Sequence, residues 1–323
     1  MEPPVHLYDQ IARNKRNSVL LMTSAVLLLA VLGFVFGAYY EAPISGMLVA
    51  SGAATIYLLI SWYAGSSLVM LSMGAREIEK REYPQLFNIV EEMAIASGLP
   101  MPKIYVIQSN ASNAFATGMR PDKAAISVTT GIMETLNREE LQAVVAHEMG
   151  HIKNFDSRFS VLMAVLVGVV ALMCDAFWRM ARGSRKSSSS SKGGGQAQLI
   201  IFIAAIVLAI LAPLAAKLIQ FSMSRRRELL ADNTSAELTR NPGALANALE
   251  KIVKDPDPLD IANRGTQHLF IANPLKTLKD VKALQEKNEK SGWFDTHPPM
   301  ALRVRLLREM SHQDGTDPSA SRA

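Results

Sequence analysis

The stretch His147-Glu148-Met149-Gly150-His151 decides how this chain is read. It closes a run that opens with Asn137 and has Glu140 three residues later, an asparagine version of the capping box. That pair predicts a helix through Ile152. On a helix, positions i and i+4 share a face, so His147 and His151 can reach one metal ion. Glu148 projects about 100° away from His147, where it can sit beside a metal-bound water without being a ligand. Zinc lowers the pKa of such a water to about 7, and a neighbouring carboxylate can take its proton. With 6 histidines among 323 residues, chance alone produces this pattern far less than once per chain. Gly150 lets another backbone come close.

A catalytic zinc needs a third protein ligand and an open position. The other histidines are His6, His268, His297 and His312, and none lies three to six residues beyond His151. Glu228 stands in Arg227-Glu228-Leu229-Leu230-Ala231-Asp232, in a predicted helix that continues from an apolar block ending at Ala216 through Arg225-Arg226-Arg227 to Leu238, with Asp232 one turn later on the same face. That spacing suits a ligand glutamate followed by a carboxylate that orients a ligand histidine. It suits equally an ordinary solvated pair beside Arg225, Arg226 and Arg227.

Composition sets the setting of this chemistry. Apolar residues make up 49% of the chain, aromatics only 7%, and mean hydropathy is +0.13. The apolar excess is aliphatic, as in lipid-facing helices. Lys+Arg number 34 and Asp+Glu 29, a formal charge of +5, too mild and too scattered for a dedicated nucleic-acid binder. The single cysteine, Cys174, excludes an internal disulfide framework and a Cys-rich zinc site; in an apolar block it reads as packing.

Four apolar blocks stand out. Residues 19–40 carry no charge, enough to span a hydrocarbon core of ~30 Å, and are too long for a signal peptide. A second helix lies inside 44–73, after the turn at Ala42-Pro43. The third block, 159–174, and the fourth, 199–216 with Pro213, flank a Ser/Gly linker at 183–198. Arg13, Lys15 and Arg16 precede the first hairpin, and Arg76, Lys80 and Arg81 follow it, so both flanks read as cytoplasmic. The second hairpin's loop carries Arg179, Arg182, Arg185, Lys186 and Lys192, which leaves full crossing and a re-entrant hairpin both open.

The expected organisation is an N-terminal membrane hairpin (1–76), two parts of one catalytic domain (77–158 and 219–309) split by a second membrane hairpin (159–218), and a disordered tail (310–323). Inside the catalytic part, a helix is predicted over 84–97, strands over 103–107, 114–117 and 124–128, and a helix opening at Asn241-Pro242. The fold class is α+β, mostly helical, with a zincin-type catalytic domain and four apolar membrane segments in two hairpins.

The segment Asn113-Ala114-Phe115-Ala116-Thr117-Gly118, the motif helix, the later Arg-Glu-Leu-Leu-Ala-Asp and the turn His297-Pro298-Pro299 occur in this order. Together with the membrane hairpins, they resemble the HtpX-type membrane zinc metalloproteases, a gluzincin group related to the CAAX prenyl endopeptidases. The resemblance implies one Zn2+ held by His147, His151 and Glu228, with Glu148 as general base and Asp232 orienting a ligand histidine. It implies that Asn113, Ala114, Phe115 and Ala116 form an edge strand to which an extended substrate adds. His297 and Arg303 become candidates to stabilise the tetrahedral oxyanion. Misfolded or damaged membrane proteins and unfolded polypeptides become the expected substrates, met at the cytoplasmic face of the cell (inner) membrane in a stress-linked quality-control role. Nucleic acid is not an expected partner, and oligomeric state is not legible. The rival readings are a CAAX-type processing protease and a catalytically silent membrane scaffold. Only four apolar segments argue against the first, and the intact Glu148 against the second.

Overall fold

A computed structural model describes residues 7–39, 42–158, 225–255, 257, 270–271 and 298–313, with positions 199, 203 and 207. The chain divides into two compact units. One comprises Met1–Asn14, Ala64–Val161 and Gln220–Ala323; the other comprises Lys15–Tyr63 and Leu162–Ile219.

Two long helices open the chain, α1 (Leu7–Tyr39) and α2 (Pro43–Ser72). Their segments Asn14–Val35 and Pro43–Ser72 are long and apolar enough to cross a membrane, and most of each faces outward. The turn between them is closed by the Ala42 N–H, which donates to the Gly37 carbonyl at 2.8 Å. The two helices approach closely where side chains are smallest. A Cβ on Gly46 would stand 2.3 Å from the Gly33 carbonyl oxygen, and one on Gly33 2.4 Å from the Ala50 Cβ, so only glycine permits this contact. The third and fourth apolar blocks and the Ser/Gly linker lie outside the described residues, apart from positions 199, 203 and 207, as do Cys174, His268 and His297. Two of the four expected membrane segments are therefore present as helices among the described residues.

The other unit holds a four-stranded sheet and a layer of helices. Its elements are β1 (Arg76–Glu77), α3 (Pro84–Ser97), β2 (Lys103–Ile107), β3 (Ala114–Thr117), β4 (Ala125–Thr129), α4 (Thr130–Thr135), α5 (Arg138–Lys153), α6 (Arg225–Thr239), α7 (Pro242–Lys254) and α8 (Met300–Gln313). Strand order is β1-β2-β4-β3. β2 and β4 run parallel in the centre, buried on both faces, as their near-continuous apolar runs require. β3 lies antiparallel at the edge, with Ala114 opposite Val128 and Thr117 opposite Ala125. The last strand is shifted one residue from 124–128. Ala124 instead closes a short turn onto the Pro121 carbonyl, and Thr129 ends the strand and caps α4 by accepting from the Ile132 N–H.

The motif helix α5 is the centre of this unit and packs against α3, α6, α7 and β3. Its start is fixed reciprocally: the Glu140 N–H donates to Asn137 Oδ1 at 2.9 Å, and the Asn137 N–H to Glu140 Oε2 at 3.0 Å. Glu140 also receives Lys251 Nζ from α7 at 2.7 Å. α7 buries Leu245, Leu249 and Ile252, each contributing about 1.5–3 kcal/mol. The partner that matters most for the site is α6. Ser235 Oγ on α6 donates to the Ala143 carbonyl of α5 at 2.6 Å. A Cβ on Gly150 would meet Thr234 Cβ at 3.1 Å and Ala231 Cα at 3.3 Å, so Gly150 lets the two helices close. At the C-terminus, α8 continues to Gln313, past the expected start of a disordered tail.

Asn137→Ala should remove the side-chain half of the capping box while leaving Glu140 paired with Lys251. A loss of about 1 kcal/mol is expected, read as a lower thermal midpoint with metal content unchanged.

Candidate metal centre

Three side chains from two helices converge. His147 Nε2 and His151 Nε2, one turn apart on α5, are 3.1 Å from each other. Glu228 in the first turn of α6 places Oε1 3.5 Å from His151 Nε2 and Oε2 3.9 Å from His147 Nε2. One donor atom from each residue lies within 4.8 Å of the other two. Zinc–nitrogen bonds of 2.0–2.1 Å at tetrahedral angles set donor atoms about 3.3 Å apart, so these residues fit a tetrahedral cation.

The outer ring nitrogens are held by carboxylates. His147 Nδ1 is 3.0 Å from Asp232 Oδ1, and His151 Nδ1 is 3.3 Å from Asp156 Oδ2. In the neutral imidazoles each pairing favours the proton on Nδ1 and leaves the Nε2 lone pair facing inward. Asp232 is the partner its spacing suggests. Asp156 was not anticipated, and the signal was faint: an acidic residue just past a helix C-terminus, where the dipole favours cations. The turn explains its reach. Asn154 caps α5 by donating its N–H to the Gly150 carbonyl, and Phe155 takes a left-handed φ of 59° that brings Asp156 back to His151. A non-glycine residue in that region costs about 1–3 kcal/mol and persists only when its surroundings hold it.

Arg303 on α8 is fully buried. Its Nε donates to Asp232 Oδ2 at 2.8 Å and its Nη2 to Asp232 Oδ1 at 2.6 Å. Nη1 lies 3.3 Å from Glu228 Oε2 and donates to the Ile271 carbonyl at 3.2 Å. All three guanidinium nitrogens thus contact a carboxylate or a backbone carbonyl. In this structure Arg303 is a clamp on Glu228 and on the aspartate behind His147. That clamp also explains how Glu228 and Asp232 can be buried, which the rival reading as a solvated surface pair did not allow.

Peptidase family M48 matches the chain over residues 80–311. The chain belongs to this family. It is a metalloprotease. An M48 relative, Protease HtpX homolog of Listeria monocytogenes serotype 4a (strain HCC23), is 40% identical over 314 residues, covering 94% of this chain and 100% of the relative. The Protease HtpX homolog of Lactiplantibacillus plantarum (strain ATCC BAA-793 / NCIMB 8826 / WCFS1) is 42% identical over 310 residues with the same coverage. A weaker likeness, TM-score 0.47 at 19% identity, links 92% of this chain to 66% of Ste24p from S. mikatae in its crystal structure.

In this M48 peptidase the edge strand borders Glu148. β3 alternation turns Asn113, Phe115 and Thr117 toward β4 and the backbone groups of Ala114 and Ala116 outward. The Ala116 N–H reaches the Glu148 carboxylate. The Ala114 carbonyl already accepts from the Ile271 N–H at 3.0 Å, and Phe270 pairs opposite Phe115 with the two rings edge to face at 5.0 Å. Part of the expected docking edge is thus covered by the chain itself. His297 lies outside the described residues; the Pro298-Pro299 pair that follows it leads into α8.

Burial pushes the Glu148 carboxyl up to about 7, with the Glu228 charge adding to it against the pull of His151. Its Oε1 is buried and has no hydrogen-bond partner among the described residues. Burial also lowers His147, against the pull of Asp232. For His151 burial acts downward too, but Asp156, Glu228 and Glu148 outweigh it and hold the imidazole up to about 9. Burial alone would raise Asp232; the Arg303 guanidinium and His147 keep it low instead.

Two outcomes follow from this geometry. Arg303→Met should leave Asp232 and Glu228 buried without their cation, costing about 3–5 kcal/mol. Thermal midpoint and metal content should both fall. A variant with normal midpoint and metal but a low kcat would return Arg303 to the transition state. The second outcome concerns pH. A cation requires neutral imidazoles, so its binding expels the proton from His151. Between pH 7 and the value of about 9, apparent metal affinity should rise by roughly tenfold per pH unit, and calorimetry in buffers of different ionisation enthalpy should register close to one proton released.

Proposed function

We propose that this M48 peptidase is a membrane-anchored zinc endopeptidase. Its catalytic unit faces the cytoplasm at the cell (inner) membrane and cleaves cytoplasmic segments of misfolded or damaged membrane proteins. The observation that carries the chemistry is the convergence of two imidazole Nε2 atoms 3.1 Å apart on the Glu228 carboxylate. A His-His-Glu donor set suits zinc with one position left open. Membrane anchoring is supported by α1 and α2, and the cytoplasmic orientation by the basic residues that flank them. The expected boundaries of two membrane hairpins interrupting one catalytic domain are kept in this reading.

Zinc held by His147, His151 and Glu228 supplies Lewis acidity toward water and the scissile carbonyl. Glu148 takes the proton of the attacking water on Oε1 and passes it to the leaving amine nitrogen. A carboxyl held near 7 by burial can do both at neutral pH. Asp232 and Asp156 keep the two imidazoles in the ligating tautomer, and Arg303 holds Asp232 and Glu228 in place. An extended peptide pairs with the outward backbone of β3 from Ala116 onward, beside Glu148, with Asn113, Ala114 and Phe115 completing that strand. His297 is retained as the donor to the developing oxyanion. Because backbone pairing selects for an extended chain rather than a sequence, unfolded polypeptide segments are the substrate class. The lipid bilayer limits which segments come within reach.

Glu148→Gln tests this mechanism on the full chain in detergent. The variant should bind zinc at one equivalent yet lose about 10²–10⁴ in turnover of an unfolded test protein, since an amide cannot accept the proton. His147→Ala should lose the zinc itself. Wild-type turnover in Glu148→Gln would remove the general-base assignment.

A further inference from the structure

Among the polar contacts made by residues outside the peptidase-matched segment, those of Asn14 reach the candidate metal centre. Asn14 lies on α1, ahead of the first apolar block, and is 3% exposed although the adjacent Lys15 and Arg16 are exposed. Its Nδ2 donates twice, to the Asn154 carbonyl at 2.8 Å and to Asp156 Oδ1 at 2.8 Å. The other oxygen of Asp156 faces His151 Nδ1 at 3.3 Å. Arg227 Nε stands 3.5 Å from the Oδ1 that Asn14 holds. Asn14, Asp156 and His151 therefore form a continuous hydrogen-bonded relay that ends on a metal ligand.

We infer that Asn14 is a positioning residue of the metal centre, acting through Asp156 to orient His151. The inference rests on the reading of His147, His151 and Glu228 as ligands. Its physical basis is the requirement of a buried carboxylate. Asp156 can aim Oδ2 at the imidazole only if Oδ1 is satisfied by donors whose direction is fixed. An asparagine amide meets that need because one nitrogen carries two hydrogens at a fixed angle. One anchors it to the main chain at the end of α5, and the other grips the carboxylate. Asn14 thereby also holds the left-handed turn at Phe155 that delivers Asp156. Partners of this kind typically change metal affinity by 10–100-fold when removed. The peptidase centre thus includes a residue from the helix that carries the first apolar segment, so that helix serves the metal site as well as any membrane.

The test uses the full chain in detergent and zinc affinity measured by competition with a chromophoric chelator. Asn14→Leu keeps the side-chain volume and donates nothing. It should weaken zinc binding about 10-fold or more, with a small change in the thermal midpoint under chelator. Asn14→Asp, which sets a second carboxylate against Asp156, should weaken it at least as much. Asp156→Ala should weaken it further, and Asn14→Leu with Asp156→Ala should be no weaker than Asp156→Ala alone, because one residue acts through the other. Wild-type zinc affinity in Asn14→Leu, with or without a lower midpoint, overturns the inference and leaves Asn14 as a structural contact. So does full additivity with Asp156→Ala. His151→Ala is the control: if it binds zinc like the wild type, or the wild type binds none, the ligand reading itself fails and the inference falls with it.

Discussion

Four carboxylates, those of Glu148, Asp156, Glu228 and Asp232, are each at most 4% exposed within one neighbourhood. Burying that much negative charge is costly unless every group meets a cation or a donor. The rest of the unit is arranged around this demand. Arg303 meets two of the four, with both Asp232 oxygens and Glu228 Oε2 in reach. Glu228 turns Oε1 to His151 instead. A divalent cation between the imidazoles would supply the remaining positive charge, so the donor set and the electrostatics favour the same reading. Such a cluster tolerates little slack, and the small residues follow from that: Gly150, Ala231 and Ser235 let α5 and α6 close until His147, His151 and Glu228 from separate helices converge.

The parts of this arrangement that were legible in the sequence are those encoded locally. The capping box at Asn137 and the His-x-x-x-His spacing both act within one or two helical turns, so α5 and its inward face could be read directly. The helix over 84–97 appeared with its predicted bounds for the same reason, since Pro84 starts it and Gly98, with φ 68°, ends it. Long-range placement was not legible. The acidic pair at Glu228 and Asp232 left two readings open because spacing says nothing about burial, and burial here depends on an arginine from α8. Arg303 was singled out, but its committed donors were not foreseeable from a string of residues. Asp156 depends on a turn that only a left-handed phenylalanine creates. β1, two residues long, and α4, six, are too short to carry a periodic signal.

In the proposed function the edge strand ties the metal chemistry to the choice of substrate. Ala114 and Ala116 are buried in the core, so a peptide adding to this edge would be held by main-chain hydrogen bonds, which every extended peptide can make. Folded proteins withhold those groups inside their own helices and sheets. On the proposed reading, an enzyme that grips backbone next to Glu148 discriminates by conformation, and unfolded segments are the chains that meet the condition. The contact made by Phe270 and Ile271 is consistent with this logic. They are two residues of the enzyme's own chain in the extended pairing that the edge offers, and the Arg303 bond to the Ile271 carbonyl ties them to the same guanidinium that holds Asp232. Arg303 thus joins the β3 edge, through Ile271, to the Glu228 and Asp232 carboxylates beside the imidazoles.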